Sequence, residues 1–228
     1  MMMKENNIAL VTEAGNGLGK AFANILIAHN YHVILAACEE SYQRLSAEGD
    51  HPREYELIEM DFTSEDRMAE LYHKLMSSWG KLDLLVNNAE IVNGFGQKIA
   101  QISIEDVRKL YEINLFAVIK AVQVLKPLLE KSDHPAIINI TSSLGDISKM
   151  TKEEFCYAGY GLTAYATSKA ALNMFTQLQC KEFKPSKIRI HSFDPVVREN
   201  CTHNSVVICG GKQDEFVSLL SKDRHCKI

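Results

Sequence analysis

"VTEAGNGLGKAFA" (Val11–Ala23) joins an apolar run to an amphipathic one through a glycine-rich turn. A strand that enters a helix this way points backbone N–H groups and the positive end of the helix dipole at whatever lies beyond the strand, the layout of a dinucleotide-binding turn. Gly17 and Gly19 permit close backbone approach to a pyrophosphate and tight packing of the helix on its sheet. Glu13, however, stands where such a turn usually has glycine. A left-handed backbone at that residue costs on the order of 1–3 kcal/mol. A carboxylate at about 4 Å from a phosphate charge is repelled by ~4 kcal/mol at an effective dielectric near 20. Turned to solvent it costs much less, and Gly15 offers the turn another path.

Outward from this turn, short β-branched runs alternate with longer runs of helical period. "NIALVT" is followed by Gly17 to Asn30, "YHVILAA" by Glu39 to Ala47, "YELIEMDF" by Ser64 to Trp79, "LDLLVNN" by Ser103 to Glu130, and "PAIINITS" by Thr163 to Phe183, with "IRIHSF" last. Strands separated by crossover helices are buried on both faces, so the pattern predicts an α/β fold: a doubly wound parallel sheet of six strands, Rossmann-like, in three αβα layers. In such a sheet ligands bind beyond the C-terminal strand ends. The polar residues gather there: Thr12 after the first run, Asp61 after the third, Asn87 and Asn88 after the fourth, Thr141 to Ser143 after the fifth, Asp194 and Pro195 after the sixth.

The 228 residues suit one domain, 1–228, without repeat or linker, at 46% hydrophobic and 24% charged residues. A net charge of −4 leaves no basic footprint for nucleic acid. "MMMKENN" (1–7) turns polar before any apolar segment develops, and no run approaches the ~20 apolar residues a membrane helix needs, so a soluble cytoplasmic protein is expected. Six scattered cysteines without a CxxC read as free thiols of a reducing compartment. Cys201, His203, Cys209, His225 and Cys226 gather in the tail, but their spacing matches no zinc motif, and no metal is expected.

"YATSK" sets Tyr165 and Lys169 four apart on one helix face. An ammonium beside a phenol stabilises the phenolate and lowers the tyrosine pKa from about 10, making the hydroxyl a usable general acid or base. "NITSSLG" ends the preceding strand with Ser142, a hydroxyl able to hold a substrate oxygen opposite Tyr165, and "YEINLFAV" puts Asn114, a poor helix former, inside a helix. Each alone has a bland reading: a surface pair, a turn serine, a tolerated amide.

Together, in this order along alternating β and α segments, these residues resemble the short-chain dehydrogenase/reductase family from about Ile8 to Pro195, with a divergent, shortened tail over 196–228. The resemblance implies a nicotinamide-dependent oxidoreductase, carbonyl-reductase-like, acting on a small carbonyl or alcohol. In it Tyr165 passes the proton, Lys169 lowers its pKa and holds the nicotinamide ribose, Ser142 positions the carbonyl, and Asn114 supports a water chain to Lys169. Ser142 rather than Ser143 matches because the family's serine lies three residues before a glycine, here Gly145. For the cofactor, the resemblance implies Thr12, Gly17, Leu18 and Gly19 at the turn, Asp61 and Phe62 in "MDF", Asn88 and Ala89 in "NNA", then Tyr165, Lys169 and Pro195. Relatives pair through the helices that hold Asn114 and Tyr165, implying a homodimer or homotetramer. The apolar "INLFAVIKAVQVLKPLL" (113–129) suits equally a helix packed on its own sheet.

The departures from the family cluster on the cofactor. Glu13 replaces the first glycine, Glu90 makes "NNAE" of the family's NNAG, and Val196 follows Pro195 where glycine is usual. Cys38 stands where NADP-preferring relatives commonly have arginine, and Ala37 where NAD-preferring ones often have aspartate; with only Glu39 and Glu40 to repel a 2′-phosphate, NADP is slightly favoured over NAD. The alternative is a noncatalytic scaffold or binding protein with weakened dinucleotide affinity. Between Ser142 and Tyr165 lie 22 residues, more than the family's usual dozen or so, including "DISKMTKEEFCYAGYGL" (146–162), either a substrate wall or a tolerated surface loop.

Overall fold

The computed structural model describes residues 7–13, 17–47, 55–155, 157–195, 197–200, 205–208 and 212–221. Six strands form one sheet: β1 (Asn7–Thr12), β2 (Tyr31–Ala37), β3 (Tyr55–Glu59), β4 (Leu84–Asn87), β5 (Ala136–Ile140) and β6 (Arg189–Phe193), in spatial order β3-β2-β1-β4-β5-β6. Every pairing is parallel. The strand order reverses between β1 and β4, and a doubly wound sheet opens its ligand crevice at such a point.

The sequence alternation has the expected physical cause. Ile8 and Leu10 pack to one side of the sheet under α3 (Glu65–Ser78) and α5 (Ala117–Leu129), with Met68, Leu71, Leu75, Ala121, Leu125 and Leu128. Ala9 and Val11 pack to the other under α1 (Gly17–Ala28), through Phe22, Ala23 and Leu26. The helix α2 (Glu39–Ala47) lies along β2 and β3. Among the described residues no helix is long and apolar enough to cross a membrane.

The single helix expected over Ser103 to Glu130 is three pieces: α4 (Ile104–Tyr111), a π-helical turn at Glu112–Phe116, and α5. The wide turn surrounds Asn114, whose amide is fully buried and bonded outside its own helix. π-turns of this sort recur at functional sites. The inserted segment holds a short helix, α6 (Ile147–Met150), before the long α7 (Thr163–Glu182).

Two features were not legible in the sequence. A buried amide chain fixes α7 on the sheet: Asn87 Nδ2 donates to Asn139 Oδ1 at 2.7 Å, and Asn139 Nδ2 donates to Thr176 Oγ1 and Gln179 Oε1, both at 2.9 Å. Buried networks of this type hold elements in a single register, although here Asn87 Oδ1 and Gln179 Nε2 have no hydrogen-bond partner among the described residues. In the tail, beyond a two-stranded ribbon of β7 (Val197–Asn200) and β8 (Ser205–Ile208), α8 (Lys212–Leu219) returns to the sheet and stacks Phe216 on Phe22 at 4.6 Å. Cys38 is a free, exposed thiol, whereas Cys180 is disulfide-bonded, which corrects the expectation of free thiols throughout. Spacing along the chain does not report distance in space. Gly15, Val196 and the Cys/His group of 201–226 lie outside the described residues.

Candidate active site

Four predicted residues meet beyond the ends of β4 and β5. Tyr165 and Lys169 lie one turn apart at the start of α7, both buried, with the Lys169 ammonium 5.6 Å from the Tyr165 ring centre. Lys169 Nζ donates to the Ile140 carbonyl at 2.9 Å. Ser142, just past β5, caps a short 3-10 turn by accepting from the Leu144 N–H at 3.2 Å, and it lines the same groove as Tyr165. Gly145 is what lets this turn dock on α7: a Cβ there would stand 2.6 Å from the Lys169 carbonyl carbon and 2.7 Å from the Ala170 nitrogen. The glycine that marked Ser142 in the sequence is therefore the contact that brings Ser142 to Tyr165.

Asn114 directs its hydrogen bonds to Ile91 and Ser168. Its Oδ1 accepts from the Ile91 N–H at 2.8 Å, and its Nδ2 donates to the Ile91 carbonyl at 3.0 Å and to Ser168 Oγ at 3.1 Å. The amide thus clamps the segment after β4 to α7, and the residue it fixes in place is the neighbour of Glu90.

Glu90 is the residue whose contacts sequence reasoning missed. Its Oε2 lies 2.5 Å from Lys169 Nζ and accepts from the Tyr165 hydroxyl at 3.2 Å. The expected acidification of Tyr165 by Lys169 is therefore reversed in this arrangement. Burial pushes the Tyr165 hydroxyl far above the usual tyrosine range, and the Glu90 charge pushes the same way. The Ser142 hydroxyl pulls it down by less, and the hydrogen bond to Glu90 and the Asp194 charge add smaller upward pushes. The acidic replacement in "NNAE" was visible, but nothing in the sequence said that its carboxylate would cross to α7.

At the first turn, Thr12 Oγ1 accepts from the N–H groups of Asn88 and Ala89, both at 2.9 Å, and Asn88 Nδ2 donates to the carbonyls of Thr12 and Glu13, both at 3.0 Å. These bonds bolt β1 to β4 and hold Glu13 in a left-handed backbone, φ 50°. The Glu13 carboxylate points neither to solvent nor to the helix start. It reaches the end of β2, where Oε2 accepts from the Cys38 N–H at 3.1 Å and Oε1 from the Ser41 hydroxyl at 2.7 Å. Gly17 and Leu18 open α1, with Gly19 buried behind them. Asp61 makes an Asx turn into α3, accepting from the Thr63 N–H at 2.8 Å and its hydroxyl at 2.7 Å, bonds that hold its carboxyl below the usual range.

Two grooves flank Glu90. One, about 520 Å³, runs from Glu13, Cys38 and Ser41 past Asp61, Phe62 and Ala89 to Glu90. The other, about 490 Å³, begins at Glu90 and Leu18, has Ser142 and Tyr165 on its floor, and passes Asp194 and Pro195. Its outer wall is Phe95, Tyr157 and Tyr160, so the inserted segment is a wall of this groove. That segment is tied to the loop after β4 by a bond from the Gly96 N–H to the Tyr160 carbonyl at 2.7 Å. The Glu90 side chain, on two rotatable methylenes and 26% exposed, is the only one bridging the two grooves among the described residues.

The sequence pattern of the short chain dehydrogenases matches residues 7–205. A rhamnolipid-biosynthesis 3-oxoacyl-(acyl-carrier-protein) reductase of Pseudomonas aeruginosa is 32% identical over 197 residues, which span 82% of this chain and 71% of that one. A 3-oxoacyl-(acyl-carrier-protein) reductase of Thermotoga maritima is 27% identical over 197 residues, 85% of this chain and 75% of its own. Among solved structures, ligand-free aldohexose dehydrogenase of Thermoplasma acidophilum superposes with a TM-score of 0.69 at 26% identity, over 84% of this chain and 66% of its own length.

Proposed function

From the premise that this chain belongs to the short-chain dehydrogenase/reductase family, we propose that it is an NAD(P)-dependent oxidoreductase interconverting a small carbonyl and its alcohol, with Tyr165 as the proton-passing group. The observation that carries this reading is the convergence of Ser142 and Tyr165 on one groove, with the buried Lys169 ammonium one helix turn away, 5.6 Å from the Tyr165 ring centre. The residues fit a nicotinamide dinucleotide: Glu90 already holds a carboxylate oxygen against Lys169 and Tyr165, where ribose hydroxyls would be received. The N-terminus of α1 at Gly17, Leu18 and Gly19 would take the diphosphate, Asp61, Phe62 and Ala89 the adenosine side, and Tyr165, Lys169 and Pro195 the nicotinamide side. When bound, the nicotinamide supplies or accepts the hydride.

The chain's own residues do the rest. Ser142 and Tyr165 present two hydroxyls to one substrate oxygen, and Tyr165 Oη donates or takes its proton. Displacement of Glu90 removes the second of the upward pushes on the Tyr165 hydroxyl, after burial, and leaves the Lys169 ammonium 5.6 Å from its ring centre, which moves Tyr165 toward a usable range. Phe95, Tyr157 and Tyr160 offer apolar faces to the remainder of the substrate. Replacing Tyr165 with Phe should cut turnover of a carbonyl panel by roughly 10²–10⁴-fold while leaving dinucleotide binding within a few fold. Unchanged turnover refutes the role of Tyr165. A second reading, a noncatalytic scaffold, draws on the same Glu90 contact: if neither NADH nor NADPH binds at millimolar concentration, that reading takes its place. Pairing into a homodimer or homotetramer, a single-domain organisation and a cytoplasmic location remain part of the proposal.

A further inference from the structure

The first family glycine is not merely lost in this chain; its replacement sends a carboxylate to a specific place. The left-handed backbone at Glu13, held by the Asn88 amide, turns the side chain across the sheet toward β2 instead of along α1. There it bonds the Cys38 N–H at 3.1 Å and the Ser41 hydroxyl at 2.7 Å, at the junction of β2 and α2. In dinucleotide-binding sheets a carboxylate at the end of the second strand hydrogen-bonds the adenosine ribose 2′-hydroxyl. Here that strand ends in Ala37 and is followed by Cys38, neither of which supplies one. We propose that Glu13 delivers this carboxylate from the first strand, and that the chain thereby selects NAD(H) over NADP(H).

The inference rests on the oxidoreductase reading above and reverses the slight lean to NADP that the missing aspartate suggested. A carboxylate has about four acceptor positions. The Cys38 N–H, the Ser41 hydroxyl and a long contact from the Cys38 thiol at 3.5 Å use three, which leaves capacity for a ribose hydroxyl. A 2′-phosphate has no proton to offer at neutral pH and meets the Glu13 charge head on. The groove around it adds Glu39, Glu40 and Asp61 against Arg44 and Arg67, and Arg67 is engaged by Glu59 at 3.6 Å and Glu70 at 3.0 Å. The charge balance therefore opposes a second anionic group while leaving a neutral diol acceptable.

The test is a fluorescence titration of the full chain with NADH and with NADPH, on the wild type, Glu13→Gln and Glu13→Gly. Glycine tolerates the left-handed turn, so that variant keeps the backbone path. The wild type should bind NADH roughly tenfold tighter than NADPH or better, and both variants should bring the ratio toward about one, chiefly by strengthening NADPH. Wild-type binding of NADPH as tight as NADH, or an NADH preference unchanged in both variants, overturns the assignment of Glu13 and leaves the oxidoreductase reading standing. If the wild type binds neither nucleotide, both fall together.

Discussion

Replacing Glu90 with glycine, the residue its family carries there, should weaken the free protein and strengthen its hold on a dinucleotide at the same time. The 2.5 Å contact between Glu90 and Lys169 corresponds to about 7 kcal/mol of gross attraction at an effective dielectric near 20. Much of that offsets the desolvation of Lys169, which is 1% exposed. Ribose hydroxyls arriving in Glu90's place restore about 1.5–3 kcal/mol per bond to the ammonium. The balance against cofactor entry is then on the order of 2 kcal/mol, so Glu90→Gly should bind NADH about 30-fold tighter. Without ligand, the variant leaves the ammonium with the Ile140 carbonyl as its one remaining protein partner among the contacts described above, which costs about 3 kcal/mol and lowers the Tm by roughly 6–12 °C. Thermal melts with and without NADH, alongside nicotinamide fluorescence titrations, measure both effects. A folded Glu90→Gly protein that binds NADH no tighter than wild type would refute the idea that this carboxylate competes for the cofactor's place.

Burial raises the Tyr165 and Tyr31 hydroxyls above the ordinary tyrosine range, with Glu90 adding to the first and the Asp83 charge adding to the second against an opposing pull from Arg189. An unfolded chain releases these protons near pH 10, whereas the native chain retains them. Stability is therefore fully present below that pH and lost as pH climbs beyond it. Melts from pH 8 to 11 should show the decline setting in near pH 10, steeper in wild type than in Tyr165→Phe; matching curves for the two would contradict the assignment. Gly145→Ala should destabilise the protein by about 1–3 kcal/mol by driving a methyl group into the Lys169 backbone, and should separate Ser142 from Tyr165. Urea melts check the first effect, and the second is refuted if turnover matches wild type.

Strand and helix order was legible because periodicity records burial: Ile8 and Leu10 alternate with Ala9 and Val11 onto opposite layers, as the pattern of "NIALVT" required. Tyr165 and Lys169 were legible because four residues is one helical turn, and Ser142 because of Gly145. Asn114 was marked as unusual, but its bonds to Ile91 and Ser168 depend on a π-turn that no periodicity announces. The anchoring of α8 by Phe216 was equally hidden, since a short amphipathic segment does not say which layer it will join.

By itself, the sequence determined the doubly wound sheet, its family and the pairing of Tyr165 with Lys169 on one helix, because these follow from local period and from spacing within one helix turn. Only the tertiary structure decided what the two acidic replacements do. Glu13 and Glu90 read in the chain as charges set against a ligand, yet one bonds Cys38 across 25 residues and the other Tyr165 across 75. The direction of each side chain is fixed by a left-handed turn and by an amide clamp between distant segments, and a charge acts on what it faces in space, which its position along the chain does not specify.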